Sequence, residues 1–275
     1  MKQFLEELKY TLSKRLESYT IENVYKYTFY AFVYASLIRQ KLSTNVIKDL
    51  RKKIPPPLVA EAVSLRDMIL EILNTVDAIL NSNKAVLFDE SNLNEIINKL
   101  RQRIERIDAV VVYDCMSLLE QIVLASYLEK NNVESTFLDI YFVNPIGKTW
   151  FMTQQLSAVE HQRTLMNVAK HIAEELKAQH VEKYSQIDQI VHEKGYNSLE
   201  EFMCTMSETV KVLAEDALRM TRHMNRILVF SDHGYDLVFD PSLEDLLIIH
   251  GYRKKVRGLV LIPFSKITFF IAITR

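Results

Sequence analysis

A chain of 275 residues suffices for one large or two modest domains, and 48% apolar content with only 5 glycines and 6 prolines points to a well-packed, helix-rich protein. Lysine and arginine (34) nearly balance aspartate and glutamate (35), so a net charge of −1 marks out neither a nucleic-acid nor a membrane-surface binder. The two cysteines, Cys115 and Cys204, cannot build a disulfide framework, which fits a reducing compartment.

Residues 1–106 read as helical throughout, an N-terminal bundle. The opening MKQFLEELKY is charged every few residues and lacks the apolar run of a signal peptide. Phe4, Leu5, Leu8, Leu12 and Leu16 form one helical stripe. Tyr25, Tyr27, Phe29, Tyr30, Phe32 and Tyr34 crowd the next helix, 21–41, where aromatic residues at helical spacing are core formers. Pro55, Pro56 and Pro57 end a short helix, a long one follows over 58–80, and a last one covers 92–106.

The character changes at Ile107, where a second unit, 107–275, begins. Ala109-Val110-Val111-Val112-Tyr113 is continuous and β-branched, so it predicts a strand covered on both faces, ending at Asp114. An amphipathic helix, 116–130, and a strand, 136–143, complete a strand–helix–strand unit. The turn Asn144-Pro145-Ile146-Gly147-Lys148-Thr149 leads into helical sequence, and a long helix is expected over 157–183. An irregular segment, 184–197, holds Asp188, His192 and Gly195, and helix 199–224 delivers the chain to the strand Ile227-Leu228-Val229-Phe230. That strand runs into Ser231-Asp232-His233-Gly234. A loop with His250-Gly251 precedes two final strands, 259–262 and 267–273. The most apolar window, 107–128, is broken by Asp108, Asp114 and Glu120, and no segment offers the roughly 18 uncharged apolar residues that crossing a membrane requires. A cytoplasmic location with no membrane partner is therefore expected.

Several carboxylates and imidazoles fall at strand ends or turns, where ligands gather in open α/β sheets. Asp114 and Asp232 each end a strand, His233 follows directly, and Asp188 and His192 are four apart, so they share a face if helical. Oxygen and imidazole donors of this kind suit divalent zinc or manganese. Thr149 adds a hydroxyl that metal coordination can activate, with Thr153 and Ser157 close by as other hydroxyls.

Val112-Tyr113-Asp114, the turn from Pro145 to Thr149, Asp188-x-x-x-His192-x-x-Gly195, Ser231-Asp232-His233-Gly234 and His250-Gly251 occur in an order that resembles the alkaline phosphatase superfamily, and within it the PglZ domains. The resemblance covers about 107–275. It implies an alkaline-phosphatase-like α/β fold, a sheet sandwiched by helices and here preceded by the all-α bundle. It further implies two divalent metal ions, one held by Asp114, Thr149, Asp232 and His233 and the other by Asp188, His192 and His250. Thr149 would be the nucleophile of a phosphoesterase, forming a phospho-enzyme that water hydrolyses. Two divalent cations facing three aspartates leave such a site about one unit positive, fit for a phosphate ester. A phosphodiester derived from a nucleotide or nucleic acid is the expected substrate, with Lys148, Arg253 and Lys254 as candidate phosphate contacts.

Rival readings of the same residues are weaker. Gly147-Lys148-Thr149 lacks the glycine five positions earlier that a phosphate-wrapping loop needs, because Phe142 stands there. Cys115 fits a small buried residue better than a thiol nucleophile. His161, His171 and His180 are too widely spaced along a helix to share a metal and read as surface residues. The cluster Arg253, Lys254, Lys255 and Arg257 is either a solvated loop or a nucleic-acid contact. An alternative of another class is an interaction or regulatory module whose helical half binds a protein partner or a second copy of the chain.

Overall fold

The β-branched run 109–113 is buried at every position, and the main sheet is built outward from it. The computed structural model describes residues 1–41, 48, 56–82, 87, 90–155, 164–192, 198–240, 245–249 and 259–275. In chain order its elements are α1 (Lys2–Arg15), α2 (Ile21–Arg39), α3 (Pro56–Ser64), α4 (Arg66–Leu80), α5 (Glu90–Arg103), β1 (Ala109–Tyr113), α6 (Leu118–Lys130), β2 (Glu134–Val143), α7 (Thr149–Gln155) and α8 (Leu165–Leu176). There follow β3 (His180–Tyr184), α9 (Gln186–His192), α10 (Leu199–Met220), β4 (Arg226–Ser231), β5 (Asp236–Asp240), β6 (Asp245–Ile249), β7 (Leu259–Pro263) and β8 (Ile267–Thr274). The protein is thus mixed α/β. A five-stranded sheet has the order β2-β8-β4-β1-β3, and a small antiparallel sheet has the order β6-β5-β7.

Alternation along the strands splits the core into two layers. Val111 and Tyr113 of β1, Ile227 and Val229 of β4, and Phe269 and Ile271 of β8 join one apolar cluster with α1, α2, α4, α6 and α10. Val110 and Val112, Leu228 and Phe230, and Phe270 face the other way, onto α5 and α8. Burying each Val, Leu, Ile or Phe contributes about 1.5–3 kcal/mol, so both layers hold the sheet in place. The aromatic band of α2 is core: Tyr25, Tyr27, Phe29, Tyr30 and Phe32 are buried, and α2 packs on α3, α4, α6 and α10.

Register decides what lies at the sheet's edge. β1 runs parallel to both β3 and β4, pairing Tyr113 with Tyr184 on one side and with Ser231 on the other. β8 is antiparallel to β4 and to β2, so β2 points the same way as the other three. Four strands therefore end at one edge, and Asp114, Asp232, the β3–α9 connection and the β2–α7 turn all emerge there.

Some expected elements differ. The helix expected over 58–80 is two helices broken at Leu65. The long helix expected to run to Lys183 stops at Leu176, where Lys177 adopts a left-handed cap (φ 57°), and His180–Tyr184 is an edge strand instead. Its mixed polar sequence suits a strand with one side open to solvent as well as a helix. Residues 186–192, expected to be irregular, form the short helix α9, and the apolar stretch just ahead of the expected His250-Gly251 loop lies in β6. β1 and β2 are joined through α6 as expected but are not neighbours, because β8 and β4 lie between them. No helix among the described residues is long and apolar enough to cross a membrane.

Candidate metal centre

Each side chain of the site follows a strand end whose position is set by pairing. Beyond β1 the chain turns sharply, with Cys115 in the left-handed region (φ 65°), a conformation that costs a non-glycine residue free energy and collects at functional sites. The turn frees the Cys115 N–H to donate to Asp232 Oδ1 at 3.2 Å. Ser231 stitches the two strand ends together: its Oγ lies 2.7 Å from both Tyr113 O and His233 O and accepts from the Met116 N–H at 3.0 Å.

Gly234 has a steric task. A Cβ there would stand 2.6 Å from Phe264 O and 2.8 Å from Ser117 Cα, so a side chain cannot fit where the chain beyond β4 passes the start of α6. His233 Nδ1 lies 3.1 Å from Gly234 O. A carbonyl only accepts, so Nδ1 carries the hydrogen and, in the neutral ring, the Nε2 lone pair faces the carboxylates, as a ligating imidazole requires.

The turn after β2 is organised by Asn144. Its Oδ1 accepts from the Gly147 N–H at 2.9 Å and the Ile146 N–H at 3.3 Å. Its amide donates to Lys148 O at 2.9 Å and Asp232 O at 3.2 Å. Gly147, at φ 62°, permits the turn's tight approach to Ser265. Thr149 thereby opens α7 with its hydroxyl inside the site. Its Oγ1 donates to Asp232 Oδ2 at 2.5 Å and lies 3.4 Å from Asp114 Oδ1 and 3.3 Å from His233 Nε2.

The donor set fits a metal ion. His233 Nε2 is 3.3 Å from Asp232 Oδ2 and 3.9 Å from Asp114 Oδ1. Four atoms bound 2.0–2.1 Å from a tetrahedral zinc lie about 3.3–3.4 Å from one another, and the separations among Asp114, Thr149, Asp232 and His233 bracket that edge. Asp188 joins from α9: ligand atoms of Asp114, Asp188 and His233 all lie within 4.8 Å of one another. His192, one turn on, is half exposed, with Nε2 3.2 Å from Asp188 Oδ1. Of the expected ligands, Asp114, Thr149, Asp232 and His233 lie together, Asp188 approaches Asp114 and His233, His192 is placed beside Asp188 alone, and His250 lies outside the described residues.

Burial raises the Asp188 carboxyl above its ordinary range, and the Asp114 charge raises it further. Asp232 is raised by burial, with His233 pulling it back and Asp114 pushing it up. Burial and four nearby carboxylates push the Cys115 thiol well up, the opposite of what a thiolate nucleophile needs. Thr153 spends its hydroxyl on Trp150 O at 3.2 Å within its own helix. Ser157, Arg253 and Lys254 lie outside the described residues, while Lys148 is exposed on the turn before α7.

Two contributors escaped the sequence. Asn144 had a signal, an Asn-Pro turn after a strand, where a side-chain amide commonly stands in for backbone partners. Lys183 had none, because its strand read as helix; its Nζ is 2.8 Å from Asp114 Oδ2. Below the site, fully buried Glu120 accepts from the Ser117 N–H at 3.0 Å, Tyr25 at 2.8 Å and Tyr235 at 2.5 Å, and also from the Ser117 hydroxyl. No protein-family model matches the chain, and no curated protein matches it.

Proposed function

We propose that the chain is a two-metal phosphoesterase with an alkaline-phosphatase-like fold of the PglZ type. The observation that carries this reading is the meeting of Thr149 Oγ1 with Asp114, Asp232 and His233 at 2.5–3.4 Å, joined by Asp188. Asp114, Thr149, Asp232 and His233 would hold one ion, and Asp188 and His192, with His250, the other. Zinc or manganese, when bound, would draw charge from the Thr149 hydroxyl and from the phosphoryl oxygens.

The chain's own groups supply the rest. The Thr149 hydrogen already points at Asp232 Oδ2, so a base stands where the proton must go as the oxygen attacks phosphorus. The new Thr149 O–P bond forms as the ester P–O bond breaks, and the released alcohol takes a proton. Water then cleaves the phosphothreonine, returning the hydroxyl and releasing the phosphate product. Asn144 and His233 hold nucleophile and carboxylates in register, which spares the reaction an entropic cost. Trp150, next in the chain and half exposed, offers an aromatic face to a nucleobase or another planar ester group, which favours a nucleotide-derived diester. We place such an enzyme in the cytoplasm.

The test is metal content together with hydrolysis of para-nitrophenyl mono- and diesters. The reading expects bound or reconstitutable zinc or manganese, turnover, and loss of turnover in Thr149→Ala with an unchanged circular dichroism spectrum. A chain that neither binds these ions nor hydrolyses either ester after their addition overturns it.

A further inference from the structure

Three aspartates, 114, 188 and 232, converge on one strand edge. Among the described residues, a lysine reaches this edge. Lys183 lies on edge strand β3, opposite Val112 of β1 in parallel register, which carries its side chain to the open flank of the site. Its Nζ is 2.8 Å from Asp114 Oδ2, and its side chain keeps 27% of its exposure. The other oxygen of Asp114 faces Thr149, at 3.4 Å. One carboxylate thus faces the nucleophile on one side and a lysine on the other. A lysine reaching in on a flexible four-carbon stem is a movable point charge rather than a fixed fork.

We propose that Lys183 is the resident counter-ion of the metal-free site and becomes its phosphate-binding side chain once metal is present. The inference rests on the phosphoesterase reading and adds a residue to it. With divalent ions held by these aspartates, the charge that Lys183 neutralises on Asp114 would already be met, and a second cation could not share those oxygens without repulsion. Lys183 then releases Asp114. Its strand borders β1, which ends at Asp114, one of the carboxylates facing Thr149, and from there an ammonium can meet the phosphoryl oxygens of an ester under attack. Metal and lysine therefore compete, while lysine and phosphate cooperate, and a residue with a merely structural role produces no such opposite pair of effects.

The experiment compares the full-length chain with Lys183→Met and Lys183→Gln, each checked for fold by circular dichroism. Manganese is titrated into metal-free protein, and inorganic phosphate into the manganese-loaded form. The variants are expected to bind manganese more tightly, on the order of tenfold, for loss of one partly exposed like charge beside the ion, and phosphate more weakly by a similar factor. Pulse acetylation of the unaltered chain, read by mass spectrometry, gives an answer even if both variants misfold. Modification of Lys183 relative to the other lysines should rise with manganese and fall again with phosphate. Manganese affinity unchanged or weakened in the variants, or Lys183 labelling indifferent to manganese, overturns this inference alone. An unaltered chain that takes up no manganese or zinc overturns the phosphoesterase reading and this inference with it.

Discussion

Tyr113 on β1 and Ser231 on β4 are register partners, so the residues that follow them, Asp114 and Asp232, leave the sheet side by side. This pairing sets the two central carboxylates of the site. A slip by one residue would turn every side chain of a strand to the opposite face and separate the two carboxylates. The hydroxyl of Ser231 bridging to Tyr113 O at 2.7 Å pins that register at its functional end.

Gly234 should be the least replaceable position of the turn. An added Cβ would meet Phe264 O at 2.6 Å and Ser117 Cα at 2.8 Å, backbone on both sides, so neither neighbour gives way cheaply. Gly234→Ala is expected to cost about 1–3 kcal/mol, as overpacking of a tight interior does. A thermal melt should show a fall of about 2–4 °C for each kcal/mol lost. An unchanged melting temperature would mean that the β4–α6 crossing relaxes freely.

What the sequence made readable was local, and what it hid was tertiary. β1 and β4 stood out because strands buried on both faces are unbroken apolar runs, and Asp114, Asp232 and His233 were found with them. Edge strand β3 was hidden because His180-Val181-Glu182-Lys183-Tyr184 needs no inward-facing run. With it went Lys183, whose partner is set only by pairing with β1. The insertion of β8 between β4 and β2 left no local trace, since the chain's last strand joins residues more than a hundred positions earlier. Glu120 read as one more charge on an amphipathic helix. Only the fold shows it buried under Tyr25 and Tyr235, linking α2 to the floor of the site.

Asn144 should act on turnover more than on stability. It holds the Thr149 turn through three hydrogen bonds of 2.9–3.3 Å and ties it to the backbone of Asp232 through a fourth of 3.2 Å. Supporting groups of this kind are typically worth 10–100-fold in activity or metal affinity. Asn144→Ala is expected to lower kcat by about that factor while losing about 1–3 kcal/mol of stability. Steady-state kinetics beside a denaturant titration separate the two, and a drop in stability with unaltered kcat would deny Asn144 its positioning role.

Glu120 makes stability depend on pH. Burial holds its carboxyl above the ordinary range, against the pull of its hydroxyl and backbone donors. A folded-state value raised above the unfolded one means the fold favours the protonated acid. That contribution is complete below the unfolded glutamate range and is lost as pH rises through the folded value, at up to about 1.4 kcal/mol per pH unit for one proton. Glu120→Gln removes the titration. The difference in unfolding free energy between the variant and the unaltered chain should therefore shift in the variant's favour as pH rises from the ordinary glutamate range. A difference flat in pH would show that Glu120 titrates alike in both states.

Metal binding should register in stability and in fluorescence together. An ion that binds only the folded site at a hundred times its Kd adds about 2.7 kcal/mol, which for a chain of this size raises the melting temperature by about 5–10 °C. Chelation should reverse the rise, and Asp114→Asn should suppress it, since Asp114 is within reach of Asp188 and His233 in the same cluster. The only tryptophan of the sequence, Trp150, directly follows Thr149, so its emission is a local reporter. Manganese, a paramagnetic quencher, should dim it in the unaltered chain and leave it bright in Asp114→Asn. Quenching that survives that substitution would put the ion elsewhere on the protein.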